Sequence, residues 1–170
     1  MKIQCSVLAL DQSTKKSGWS CFDGTSLYKW GLIDVPQSVP AESRMIEALH
    51  QYELLVQKYH PQLVVIEDVQ LRKSPRTLIL LARLQGMIIG LCDRYRIPIK
   101  IVAPATWRDE LGFDQGRGIK TPDLKKQAID FVRDSYGLKV GDDICESICI
   151  GLAHLKSIGA LPNLDELHRK

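Results

Sequence analysis

The apolar run Leu63 to Ile66 constrains the fold of this chain more than any other feature of the sequence. A short, continuous run of this kind is typical of a β-strand that is buried on both faces of its sheet. Pro61 ends a helical pattern just before the run, and a second, strongly apolar helical pattern begins after Ser74. The chain therefore contains a central strand between helices, and this strand ends at an acidic residue, Glu67.

The remaining periodicity predicts three strands followed by alternating helices and strands. We expect an antiparallel meander of strands over 3–10, 18–22 and 27–35, further strands over 63–66 and 97–102, and helices over 40–60, 74–95, 104–111, 121–136 and 142–158. Neither repeats nor an internal linker interrupt this order. One α/β domain over residues 1–160, with a polar tail over 161–170, is the most economical prediction.

Composition excludes little. A net charge of +3 in 170 residues is too small to indicate nucleic-acid binding by itself. The start of the chain does not resemble a secretion signal, and we find no apolar run of membrane-spanning length, so we expect a cytoplasmic protein without membrane contact. The five cysteines are scattered and lie in apolar runs. We interpret them as buried free thiols, since the spacing of Cys145, Cys149 and His154 is a poor zinc pattern.

Four carboxylates stand where such a fold would bring them together: Asp11, Glu67, Asp143 and Glu146. If the first strand lies beside the buried strand, Asp11 and Glu67 meet at the edge where α/β sheets bind ligands. Asp143 and Glu146 are three apart on a predicted helix, so they point the same way. Taken singly, each acid also fits a turn, a strand end or a helix cap. Asp142, four residues before Glu146, fits stereochemically as well as Asp143, although we prefer Asp143.

Clustered carboxylates repel one another, so a group of four needs a cation. Oxygen ligands alone favour Mg²⁺, with Mn²⁺ as a substitute. Two such ions can activate a water and stabilise the leaving oxygen of a phosphodiester. The predicted chemistry is in-line hydrolysis that leaves 5′-phosphates and needs no protein nucleophile.

The motifs that carry these acids resemble those of the RuvC family of Holliday-junction resolvases, in the same order over roughly residues 3 to 158. The matching segments are Leu8-Ala9-Leu10-Asp11 with Ser13-Thr14 and Ser17-Gly18-Trp19, Val65-Ile66-Glu67-Asp68-Val69, Leu81-Ala82 with Gln85-Gly86, and Asp143-Ile144-Cys145-Glu146-Ser147. The resemblance implies an RNase H-like fold with a five-stranded mixed sheet. It also implies a homodimer, two divalent ions per site and symmetric nicking of four-way junctions. The catalytic positions carried over are Asp11, Glu67, Asp143 and Glu146, with Lys125 as the basic residue near the cleaved phosphate.

Several positions depart from the family pattern. The first motif reads Asp11-Gln12-Ser13 instead of Asp-Pro-Gly, and the last acid is Glu146 instead of Asp. Gln70 stands where many members carry an aromatic residue that opens the centre of the junction. The preferred branched substrate and any cleavage consensus therefore stay open. The first motif and Trp107-Arg108 look more like phage-encoded relatives, which suggests a phage or prophage origin.

Basic residues flank each acidic motif and are candidates for phosphate contacts with branched DNA. They are Lys15, Lys16, Arg72, Lys73, Arg76, Arg117, Lys120 and Lys126. The helix after Ser74 carries more apolar surface than one sheet face can cover, which predicts isologous packing of two copies.

Three other functions compete with the junction nuclease. A non-catalytic nucleic-acid-binding protein of the same fold would gain nothing from four clustered acids. An RNase H acting on RNA–DNA hybrids would share the fold. The segment from Leu8 to Thr14 also resembles the phosphate-binding opening of actin-like sugar kinases, but such kinases need two domains, and only one fits in 170 residues.

Overall fold

A mixed five-stranded sheet forms the centre of the computed structural model, which describes residues 5–70 and 74–161. Its strands are β1 (Val7–Asp11), β2 (Lys16–Asp23), β3 (Ser26–Asp34), β4 (Leu63–Glu67) and β5 (Ile99–Val102). They lie in the order β3-β2-β1-β4-β5. The first three strands are antiparallel, whereas β4 runs parallel to β1 and to β5. The predicted mixed sheet, with its meander followed by parallel strands, is confirmed.

Helices cover both faces of this sheet. They are α1 (Ala41–Tyr59), α2 (Pro75–Arg94), α3 (Pro104–Glu110), α4 (Thr121–Tyr136) and α5 (Asp142–Ser157). Side chains of β4 alternate between two core clusters: Val64 and Ile66 pack with α1 and α2, and Val65 packs with α3, α4 and α5. Each of these three residues is at most 1% exposed, as a strand buried on both faces requires.

The sheet edge formed by the ends of β1 and β4 also receives the start of α5. Gly141 is the N-cap of α5, and no side chain caps the helix. Asp142 and Asp143 therefore do not cap α5, although a helix cap is one of the roles that the sequence allows for an acid at this point. Both lie in its first turn instead, where the helix dipole favours negative charge.

The cysteines differ from the prediction at two positions. Cys5 and Cys21 form a disulfide that joins the segment before β1 to β2, with a Cα–Cα distance of 5.8 Å. Cys92, Cys145 and Cys149 are free and buried. The interpretation as free thiols was wrong for the first pair, because antiparallel pairing places these distant sequence positions side by side.

Helix α2 is long and apolar enough, by length and composition, to cross a membrane, which the sequence analysis did not anticipate. The core helix of a soluble protein passes the same test, and α2 buries Leu84, Ile88 and Leu91 against α1 and the sheet. This helix is therefore weak evidence for a membrane span. At the chain end, Leu161 of the predicted tail is buried in the second core cluster, and residues 162–170 lie outside the described part of the chain.

Candidate metal centre

Three of the predicted acids meet at the sheet edge. Carboxylate oxygens of Asp11, Asp143 and Glu146 all lie within 4.8 Å of one another. Asp11 ends β1, and the other two come from the first turns of α5. Within residues 5–70 and 74–161, they are the one group of three or more His, Cys, Asp or Glu side chains spaced to hold a metal ion.

The close approach of α5 to the sheet depends on a glycine. Gly18 on β2 is the register partner of Asp11. A Cβ atom built on Gly18 would lie 1.8 Å from the carbonyl oxygen of Asp143, so any larger residue would push α5 away. Further along, Ser20 Oγ donates to the carbonyl of Ser147 at 2.9 Å and ties the two elements together. Gly18 of the first motif thus helps to position Asp143.

Glu67 lies next to this group without being part of it. Its strand pairs with β1 up to Leu10 and Ile66, so Glu67 and Asp11 leave adjacent strands at the same edge. Its Oε2 atom accepts a hydrogen bond from Nε1 of Trp107 at 2.9 Å. The Glu67 charge nevertheless acts on Asp11, whose pKa it raises. The predicted four-acid cluster is arranged as three close carboxylates and one neighbour.

The electrostatics of the group favour a bound cation. Burial, and then the charges of Glu146, Glu67 and Asp143, raise the pKa of Asp11 well above its usual value. Burial and the Glu67 charge raise the pKa of Glu146 to about 7. A divalent ion would relieve both the desolvation and the repulsion, and the donors are all carboxylate oxygens, which suit hard ions. The residues present therefore fit a metal ion of this class.

Asp142 occupies a different position from Asp143. It contacts Nζ of Lys125 directly, and this hydrogen bond lowers the pKa of Asp142. Lys125 Nζ also lies 3.9 Å from Oε2 of Glu146. Asp143 thus lies in the acidic group, whereas Asp142 forms an ion pair with Lys125. Lys126, the alternative to Lys125, pairs instead with Asp130 on the outside of α4.

Two residues on α3, Trp107 and Arg108, also belong to the site, although the sequence did not predict a role for them there. Arg108 is 7% exposed, and its Nη2 atom lies 3.7 Å from Oε1 of Glu146. Its guanidinium also lies over the Trp107 ring, 4.8 Å from the centroid. The sequence held a signal for both, because a helix that starts directly after β5 begins at the edge where β4 ends.

The turn after Asp11 is held by buried polar groups. Ser17 Oγ donates to the carbonyl of Ser13 at 2.8 Å, and the Tyr52 hydroxyl donates to Ser17 Oγ at 2.6 Å. Gln12 Nε2 donates to the carbonyl of Glu67 at 3.1 Å and so links the ends of β1 and β4. Gln12, which departs from the family pattern, therefore has a structural role at the site.

The predicted DNA-contacting cations are exposed wherever the structure describes them. Lys16 forms an ion pair of 3.5 Å with Asp34, and its charge reaches Asp143, whose pKa it lowers against the dominant effect of burial. The remaining exposed members are Lys15, Arg76, Arg117, Lys120 and Lys126. Arg72 and Lys73 lie outside the described residues.

Sequence comparison finds relatives among the curated proteins, although no family model matches the chain. A RuvC crossover junction endodeoxyribonuclease from Fusobacterium nucleatum is 22% identical over 162 residues, which cover 91% of this chain and 82% of that protein. The corresponding protein of Dictyoglomus turgidum is 26% identical over 102 residues. That alignment covers 58% of this chain and 65% of the relative, slightly less than two thirds of its length.

Solved structures share the fold at low sequence identity. Thermus thermophilus RuvC, in complex with a Holliday junction substrate, superposes with a TM-score of 0.71 at 14% identity, over 91% of this chain and 96% of that one. The yeast mitochondrial Holliday junction resolvase superposes with a TM-score of 0.61 at 15% identity, over 99% of this chain and 83% of that one. The resemblance to the RuvC family that the motifs indicate is therefore confirmed, in sequence by the curated relatives and in fold by the solved structures.

Proposed function

We propose that this chain is a divalent-metal-dependent endonuclease that resolves four-way junctions or other branched DNA. The observation that carries the proposal is the close group of Asp11, Asp143 and Glu146, with Glu67 beside it, at one sheet edge. Relatives named crossover junction endodeoxyribonuclease, aligned over most of the chain, supply the reaction class. A protein that only held phosphate would be hindered by these acids, which argues against a non-catalytic role.

The four acidic residues of the site share one role in this function, which is to bind metal. Asp11, Glu67, Asp143 and Glu146 would hold the divalent ions, which we propose are two Mg²⁺ ions per site with Mn²⁺ as a substitute. When bound, such ions supply the Lewis acidity that activates water and stabilises the leaving oxygen, giving 5′-phosphate ends.

Lys125 supplies positive charge close to the carboxylates. The charges of Asp142, Glu146 and Asp143 keep it protonated, since they raise its pKa against the opposing effect of partial burial. A phosphate that approaches four carboxylates is repelled, and an ammonium group beside Glu146 reduces that repulsion. We therefore assign Lys125 to contact with the phosphate that is cleaved.

The remaining basic residues would bind the arms of the junction. Lys15, Lys16, Arg76, Arg117, Lys120 and Lys126 have the exposure that phosphate contacts need. Arg72 and Lys73, next to Gln70, stay predictions that fall outside the described residues.

We also propose that the enzyme acts as a homodimer. Symmetric cleavage of a junction needs two active sites, and α2 presents an apolar face on which Ile79 and Ile89 are 50% and 39% exposed. Gly86 and Gly90 on the same helix are exposed and would allow a second helix to approach closely. We place the activity in the cytoplasm of a bacterium or a phage-infected host.

Cleavage of a panel of labelled DNAs tests the proposed function. The panel contains a four-way junction, a fork, a flap, a linear duplex and an RNA–DNA hybrid, each incubated with Mg²⁺, Mn²⁺ or EDTA. We expect paired, metal-dependent nicks in the junction, absent with Glu67→Gln. Cleavage confined to the hybrid would make the protein an RNase H. Tight junction binding without cleavage in any metal would leave it a binding protein.

A further inference from the structure

Helix α3 brings to the acidic site a side chain that the proposed function does not use. Trp107 is 1% exposed, and its indole N–H donates to Oε2 of Glu67 at 2.9 Å. We propose that Trp107 is a positioning residue of the metal centre, whose indole N–H fixes the orientation in which the Glu67 carboxylate meets the divalent ion. This inference rests on the proposed metal-dependent function and adds a residue to it.

The indole is held in place from several sides. Its ring packs edge-on against Phe113, with centroids 5.7 Å apart, and the Arg108 guanidinium lies 4.8 Å from its centroid. The backbone fixes the donor relative to the acceptor, because Glu67 is the register partner of Val102 and α3 starts at Pro104, two residues later. The pairing of β4 with β5 thus determines where the indole N–H and the Glu67 carboxylate lie relative to each other.

A neutral donor suits this position chemically. Residues that hydrogen-bond to metal ligands orient them, and losing one commonly costs about 10-fold to 100-fold in metal affinity or activity. A lysine or arginine would orient Glu67 too, but its positive charge would compete with the metal ion for the carboxylate. An indole N–H only donates and carries no formal charge, so it fixes the carboxylate without neutralising it.

A purely structural role is the alternative, since a buried tryptophan generally finds some hydrogen-bond acceptor. The two roles differ in what they affect. If Trp107 only fills the core, removing its N–H changes stability and leaves metal affinity unchanged. If it positions Glu67, metal affinity falls even where the fold and its stability are kept.

Two variants separate these roles. Trp107→Phe removes the donor and some volume. Site-specific replacement of Trp107 by β-(3-benzothienyl)alanine removes the donor while keeping the size of the indole, so it remains informative if the phenylalanine variant does not fold. Trp30→Phe is the matched control, because Trp30 packs against the same core cluster. Mn²⁺ binding to the DNA-free protein is measured by electron paramagnetic resonance, alongside circular dichroism and thermal melting.

We expect both Trp107 variants to bind Mn²⁺ about 10-fold more weakly than the wild type, and Trp30→Phe to bind it like the wild type. In a Glu67→Gln background, removing the Trp107 donor should cause no further loss. The inference is overturned if the folded benzothienyl variant binds Mn²⁺ as tightly as the wild type. It is equally overturned if removing the donor costs as much affinity in the Glu67→Gln background as in the wild type. Because binding is measured without DNA, a wild type that binds Mn²⁺ but cleaves no branched substrate would refute only the proposed nuclease function.

Discussion

Replacing Glu146 by glutamine should make the stability of the metal-free protein less dependent on pH. Burial and the charge of Glu67 raise the pKa of Glu146 from 4.5 to about 7 in the folded state. A carboxylate whose folded pKa is raised stabilises the fold fully below its unfolded pKa and loses that contribution as the pH rises through the folded value. Between pH 4.5 and a pH above 7, the wild type should therefore lose free energy of unfolding that Glu146→Gln keeps.

The size of this difference follows from the shift. The rise of the Glu146 pKa from 4.5 to about 7 corresponds to roughly 3 kcal/mol, since each pH unit is worth about 1.4 kcal/mol. Glutamine also leaves Arg108 without the attraction of the carboxylate that lies 3.7 Å away. That attraction acts only while Glu146 is ionised, and it lowers the pKa of Glu146, so the value of about 7 already contains it and no separate correction is needed.

Urea denaturation in EDTA between pH 5 and pH 8 measures this slope. Glu47→Gln, which removes an exposed carboxylate on α1, is the matched control and should follow the wild type. Adding Mg²⁺ should restore stability to the wild type at pH 8, because a bound cation removes the repulsion. If the curves of the wild type and Glu146→Gln run parallel across the pH range, the electrostatic account of the site is wrong.

Four further variants test the geometry of the site and the dimer. Asp143→Asn should abolish Mg²⁺-dependent cleavage, because Asp143 belongs to the close acidic group. Asp142→Asn should still bind Mn²⁺ but should cleave more slowly, because Lys125 loses its partner. Mn²⁺ titration measures the binding of each variant, and single-turnover kinetics measures the rate of cleavage. Gly18→Ala should lower the free energy of unfolding by about 1–3 kcal/mol in urea denaturation and reduce cleavage even where the protein is folded, because its Cβ would displace the backbone of Asp143. Ile79→Arg should convert a dimer to monomers in sedimentation without changing circular dichroism, and a variant that stays dimeric would place the interface elsewhere.

The order of strands and helices could be predicted because each of them has its own pattern of apolar residues along the sequence. The β4 run is apolar throughout, since both of its faces are covered, and α1 and α2 repeat apolar residues at helical spacing. The acids at the ends of β1 and β4 could be placed beside each other because parallel neighbouring strands end at the same edge.

Features that depend on contacts between distant residues could not be predicted in this way. The hydrogen bond from Trp107 to Glu67 spans 40 positions and requires the register of β4 with β5. The Cys5–Cys21 bond requires the pairing of β1 with β2. The separate tasks of Asp142 and Asp143 depend on the rotation of α5, which two adjacent acids in a sequence do not reveal.

The positions of the basic side chains explain how the acidic group is stabilised while its oxygens stay available to a metal ion. Arg108 and Lys125 lie 3.7 Å and 3.9 Å from the oxygens of Glu146, beyond hydrogen-bonding distance. They reduce the repulsion through space, and their charges lower the Glu146 pKa against burial and Glu67, which dominate. The direct contact of Lys125 goes to Asp142, outside the close group, and the indole that donates to Glu67 is neutral. Positive charge is thus near enough to reduce the repulsion among the carboxylates in the folded protein, while Arg108 and Lys125 stay too far from Glu146 to occupy the oxygens that a divalent ion would need.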